Sequence, residues 1–178
     1  GQGTREINLH IFDGVGLKSI AIAADGRYAL VGTYDGGLRL WDIRSGQEIR
    51  RLAGRHPLYM PGEERGRKTD LTSVAISSDG RYAVASSFDH TLKMWDLLSG
   101  DEVDSLTGHD DTVRSVVLTA DGRHAFSCSD DGSIKMWDFA TGELVRTLIG
   151  HNDSVNAVAL TADDRYVISA SEDNTLRV

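Results

Sequence analysis

One spacing recurs along this chain and restricts it to a repeat architecture. Trp41, Trp95 and Trp137 are separated by 54 and 42 residues. Asp35, Asp89, Asp131 and Asp173 are separated by 54, 42 and 42, and Gly26, Gly80, Gly122 and Asp164 keep the same steps. Three independent markers on one ruler define a unit of about 42 residues. The longer first step places an insertion of 12 residues between the first two copies.

Each unit reads as four short strands, with the third copy as template. Val113–Leu118 alternates loosely. Asp121-Gly122 predicts a tight hairpin turn, and His124–Ser129 reads as a small, half-buried strand. After the Asp131-Gly132 turn, Ile134–Trp137 alternates with period two. Thr141-Gly142 turns again before a fourth strand, Leu144–Leu148. Hairpin connections make all neighbours antiparallel. A four-stranded antiparallel sheet, tandemly repeated, is the blade of a β-propeller.

The residues carrying the repeat resemble the WD40 family. The relevant motifs are Gly108-His109, Ser129-Asp130-Asp131-Gly132, Lys135-Met136-Trp137-Asp138, Gly150-His151, Ser171-Glu172-Asp173-Asn174, and the Trp-Asp pairs at 41–42 and 95–96. The resemblance spans residues 1–178. Repeats fall at about 13–54, 55–108, 109–150 and 151–178, with an N-terminal strand at 4–12 and an inserted loop at about 55–69. It implies an all-β WD40 β-propeller of four four-stranded antiparallel blades. It also implies a protein that holds other proteins together rather than an enzyme.

The family carries a hydrogen-bonded set of His, Ser or Thr, Asp and Trp in each blade. Two positions before each turn Asp stand Thr33, Ser87, Ser129 and Ser171, a hydroxyl every time. Four before stand Val31, Ala85, Ser127 and Ser169, a site that accepts apolar residues. The constant position is therefore read as the hydroxyl of the set. Repeat three is complete with His109, Ser129, Asp131 and Trp137; repeat four has His151, Ser171 and Asp173. Repeat two has Ser87, Asp89 and Trp95, with displaced His56 as its only candidate imidazole. Repeat one has Thr33, Asp35 and Trp41, with Asp13 where the His belongs. A buried Asp needs such donors, so these residues read as structural. A hydrolase triad built from the same residue types is set aside because the set recurs once per blade.

The resemblance places one rim of the ring on the loops joining strand four to strand one and strand two to strand three. The residue before each turn Asp points to it: Tyr34, Phe88, Asp130 and Glu172. The insertion falls on the same rim and carries Tyr59, Met60, Arg65, Arg67 and Lys68. Aromatics beside charges suit a protein or peptide partner, and the basic loop suits an acidic or phosphorylated one.

Four units fall short of the usual ring of about seven blades. The chain is therefore expected to be a partial propeller, or a half that pairs with a second copy into an eight-bladed homodimer. A small-molecule sensor or enzyme-accessory role is the remaining alternative. The net charge of −8 argues against nucleic acid or an anionic membrane as partner. Cys128 cannot form an internal disulfide, and no signal peptide is read, so a reducing, cytoplasmic setting is expected. Neither cofactor nor metal is expected. Gly14-Val-Gly16-Leu-Lys18-Ser19 lacks the run of a phosphate loop, and His56 near Glu63 and Glu64 is a weak metal set.

Overall fold

The computed structural model describes residues 16–34, 36–53 and 71–178. Their regular structure is entirely β, in four antiparallel sheets whose strands lie in sequence order. Sheet one contains β1 (Leu17–Ile22), β2 (Tyr28–Thr33), β3 (Leu38–Asp42) and β4 (Gln47–Ala53). Sheet two contains β5 (Leu71–Ile76), β6 (Tyr82–Ser87), β7 (Leu92–Asp96) and β8 (Glu102–Leu106). Sheet three contains β9 (Val113–Leu118), β10 (His124–Ser129), β11 (Ser133–Asp138) and β12 (Leu144–Ile149). Sheet four contains β13 (Val155–Leu160), β14 (Val167–Ser171) and β15 (Leu176–Arg177), so it has three strands among the described residues rather than four. The expected N-terminal strand at 4–12 and the loop at 55–69 lie outside the described residues.

The second strand of each sheet shows why short strands suffice. Its first residue is half-buried in sheets one to three, and the next five are all buried, because both faces are covered. The register confirms the hairpins: Ala29, Ala83 and Ala125 lie opposite Trp41, Trp95 and Trp137. The first turn is wider than a two-residue hairpin. Residues 119–123 connect β9 to β10, with Gly122 donating to the Thr119 carbonyl at 2.9 Å. Asp121 Oδ1 accepts from the Thr119 hydroxyl and the Arg123 amide, which fixes the five-residue form. Gly122 there has φ 69°, a left-handed conformation that costs glycine little.

The Asp of each Trp-Asp pair has its own local task. Asp96 Oδ1 accepts from the amides of Leu98 and Ser99, and Asp138 Oδ1 from those of Ala140 and Thr141. These carboxylates close the turn from strand three to strand four.

The core lies in the seams between sheets. Trp95, with Leu97 and Leu71, packs against Leu30, Leu38 and Leu40 of sheet one. Trp137, Phe139 and Val113 pack against Val84, Leu92 and Met94 of sheet two. Phe126, Cys128 and Ile134 pack against Val155 and Val158 of sheet four. Cys128 is fully buried there, and desolvation pushes its thiol pKa up to about 12, so it is inert as a nucleophile. The first strands follow one another, β1 beside β5, β5 beside β9 and β9 beside β13. Every 2–3 turn therefore emerges at one end of the assembly and every 1–2 turn at the other.

Candidate functional site

Beneath the rim of sheet three lies a continuous chain of hydrogen bonds. His109 places Nδ1 at 2.7 Å from Asp131 Oδ2 and Nε2 at 2.8 Å from Ser127 Oγ. Trp137 Nε1 donates to the same Ser127 oxygen at 2.8 Å. With the indole donating to Ser127, the Ser127 hydroxyl hydrogen is left for Nε2, and the Nδ1 hydrogen goes to Asp131. Asp131 also accepts from the Asp110 amide and from the amide and hydroxyl of Ser133. Burial raises the pKa of this carboxyl, but the hydrogen bonds from His109 and Ser133 outweigh it. The group is held far below the usual carboxylate range.

The hydroxyl of this set is Ser127, not Ser129. Both side chains share one face of β10, being two residues apart. Ser127 lies within reach of the indole, whereas Ser129 lies at the strand's tip, past a register shift. Ser129 Oγ instead accepts from the Asp131 amide at 3.1 Å and donates to the Asp111 carbonyl at 3.0 Å, tying the turn to the loop before β9. Sheet four repeats the correction. His151 bridges Asp173 Oδ2 and Ser169 Oγ, each at 2.8 Å, while Ser171 bonds the Asp173 amide and the Asp153 carbonyl. The hydrogen bond from Thr175 leads in holding Asp173 far below its usual pKa; burial opposes this, and His151 adds to it.

In sheets one and two, Val31 and Ala85 occupy the position of Ser127, and these are the repeats that lack a His in place. The co-occurrence was the available signal: the hydroxyl four before the Asp is present only where its imidazole is. Asp89 has other partners, the Thr91 hydroxyl at 2.6 Å and Lys93 Nζ at 3.9 Å, and its amide bonds Ser87. Thr33 donates to the Gly37 carbonyl. Asp35, Asp13 and His56 lie outside the described residues. Ser127→Ala is expected to cost about 2 kcal/mol, because the indole N–H and the imidazole lose one shared partner. Ser129→Ala is expected to cost about half that. Urea melts of the two variants test the assignment, and a reversed order would return Ser129 to the centre of the set.

Asp131, His109 and Ser127 also have the connectivity of a hydrolytic triad. Ser127 is fully buried, and its oxygen already holds the Trp137 N–H, so no substrate carbonyl can reach it.

At the rim the surroundings are more basic than the turn residues alone indicated. Tyr34 is half exposed, and Lys18 places Nζ 5.3 Å from its ring centroid and 4.2 Å from that of Phe88. Arg114 lies 5.9 Å from the Phe88 ring centroid and clamps Asp130 with two bonds of 2.7 and 2.6 Å. Asn156 Nδ2 contacts Glu172 at 3.5 Å. Phe88 thus has two cations close to its ring, and Asp130 is neutralised within its own sheet. Lys18, Thr72, Arg114 and Asn156 share one repeat position at the start of the first strand, a column that the sequence reading did not follow. Tyr59, Arg65, Arg67 and Lys68 lie outside the described residues. Among the described residues no group of three or more His, Cys, Asp or Glu is placed to hold a metal.

Comparison with known proteins agrees with this geometry. The family described as WD domain, G-beta repeat matches residues 5–42, 62–96, 100–138 and 142–178. The chain is 31% identical over 87 residues to mouse NACHT domain- and WD repeat-containing protein 1, covering 49% of the chain and 5% of that protein. It is 36% identical over 67 residues to mouse Dynein assembly factor with WD repeat domains 1, covering 38% of the chain and 16% of the relative. It is 28% identical over 106 residues to the Arabidopsis thaliana U3 snoRNP-associated protein-like YAO, covering 54% and 21%. The chain thus spans about a fifth or less of the length of each of these relatives. Four repeats matched by the family pattern, four in-order antiparallel sheets and a His–Ser–Asp–Trp network under the rim lead to one conclusion: the chain belongs to the WD40-repeat family.

Proposed function

We propose that the chain is a non-catalytic scaffold that grips other proteins or peptides through the rim formed by its 2–3 turns. The observation that carries this reading is the Phe88 ring, approached by Lys18 and Arg114 beside half-exposed Tyr34. An aromatic anchor ringed by charged groups is the composition of an energetic centre at protein interfaces. The Phe88 turn is held by the bonds of Asp89 to Ser87 and Thr91, so little ordering is lost on binding. A cytoplasmic setting, and a partner that is neither nucleic acid nor membrane, belong to the same proposal.

The test is a peptide-display selection against the intact chain, repeated with Tyr34→Ala/Phe88→Ala. Selected peptides are expected to lose about 30-fold in affinity with the double variant, while its melting temperature stays within about 3 °C. Peptides that bind both proteins equally would remove the rim from the interface, and a collapse in melting temperature would make the two rings core.

A second reading rests on the outer face of sheet four. Leu176 is 71% exposed and Val178 85%, whereas Ile134, the counterpart of Leu176 in sheet three, is buried against sheet four. A further blade supplied by a second copy, in the eight-bladed arrangement, would cover that face. A discrete dimer in light scattering supports it, and a monodisperse monomer opposes it.

A further inference from the structure

Among the described residues the four sheets meet in three seams, each built to the same plan. The first strand of one sheet lies against the first two strands of the sheet before it. At the seam between sheets one and two, the following sheet contributes Leu71, Val74 and Ile76 of its first strand. The preceding sheet contributes Leu30, Leu38 and Leu40 from its second and third strands.

The repeat places the same two sets at the two ends of the row. On sheet one, Leu17, Ile20 and Ile22 hold the positions of Leu71, Val74 and Ile76. On sheet four, Ile168, Leu176 and Val178 hold those of Leu30, Leu38 and Leu40. The registers agree: Ile168 lies opposite Ala159 as Leu30 lies opposite Ala21, and Leu176 opposite Ala170 as Leu38 opposite Gly32. Exposure follows the neighbour and not the side chain. Ile20 is 65% exposed where Val74 is 6%, and Leu17 is 49% where Leu71 is 3%. Each end is therefore one half of a seam, and the halves are of opposite kinds.

We infer that a second copy of this chain docks head to tail, laying its sheet-one face on the sheet-four face as a fourth seam. Every internal seam joins one set to the other and none joins a set to itself, so the contact is heterologous. Burying these apolar side chains supplies the driving force. This inference rests on the eight-bladed reading above and adds which faces meet. The internal seams also specify a contact. A Cβ on Gly32 would lie 3.2 Å from Val74 Cγ1 across the first seam. The corresponding pair is Ala170 and Ile20 of the second copy. A side chain at that place is accommodated, because Ser86 and Cys128 hold the position of Gly32 in sheets two and three and are fully buried.

The test is disulfide capture between two full-length variants, Ile20→Cys and Ala170→Cys, mixed under mild oxidation. The spacing in the first seam puts the two positions within disulfide reach. Cys128 is fully buried and stays out of the exchange. Both variants are expected to fold, since Ile20 is exposed and cysteine is the native residue at the equivalent of Ala170 in sheet three. A covalent dimer is expected from the mixture and from neither variant alone. Ile20→Asp should abolish self-association in light scattering. Capture by Ile20→Cys alone or by Ala170→Cys alone would show like faces meeting and would overturn the inference, while leaving an eight-bladed dimer possible by another contact. A wild-type dimer without capture in the mixture would do the same. A monodisperse monomer would end both. Capture in the mixture together with an open series of oligomers would support the seam and end only the eight-bladed count.

Discussion

Asp131→Ala should lower the stability of the third blade by about 3–5 kcal/mol, because several donors lose their one charged acceptor at the same time. The substitution strands His109 Nδ1, the Asp110 amide and both donors of Ser133 at once. His109 is buried, so its ring loses a partner without gaining water. For a domain of this size the melting temperature should fall by roughly 10 °C. Amides in 109–112 and 129–133 should lose protection first. The loss should also depend on pH in a defined direction. The folded carboxyl titrates below the range of an unfolded one, so its contribution is complete above about pH 4. It disappears as the pH falls through the folded value, where wild type and variant should converge. A difference in stability that stays constant from neutral pH to pH 2 would show that the charge is not what matters. An unchanged melting curve would show that the network carries no stability.

Trp95→Ala should cost a similar amount, about 3–5 kcal/mol, through a different mechanism. The indole is 2% exposed and fills the seam between sheets one and two against Leu30, Leu38 and Leu40. Ala85 stands where Ser127 supports Trp137, so that serine's hydrogen bond has no counterpart here and packing dominates the loss. Removing the ring leaves a cavity between two sheets that cannot collapse without tilting one of them. Urea denaturation followed by circular dichroism measures the change. A cost below about 1 kcal/mol would mean that the seam repacks freely. Trp95→Phe should recover part of the loss, because it restores ring volume.

The strands, their order and their pairing were legible because the repeat reports them four times. The Asp-Gly turns, the Trp-Asp pairs and the alternation of Ile134–Trp137 each correspond to an observed turn or strand. The network was legible in its His, Asp and Trp but not in its hydroxyl. Constancy across repeats led to Ser129, whose turn bond every blade needs, while the buried bond belongs to Ser127 and is needed only beside a histidine. The rim aromatics were legible, and the cations around them were not. Lys18 and Phe88 belong to different sheets, 70 residues apart in the chain, and only the stacking of first strands brings them together.

Three apolar clusters join sheet one to two, two to three and three to four, each spanning consecutive sheets. Cohesion along such a molecule adds up like links in a chain, so a boundary between ordered and melted portions can rest at any link. Evolution can then strengthen, weaken or duplicate one module without redesigning the others.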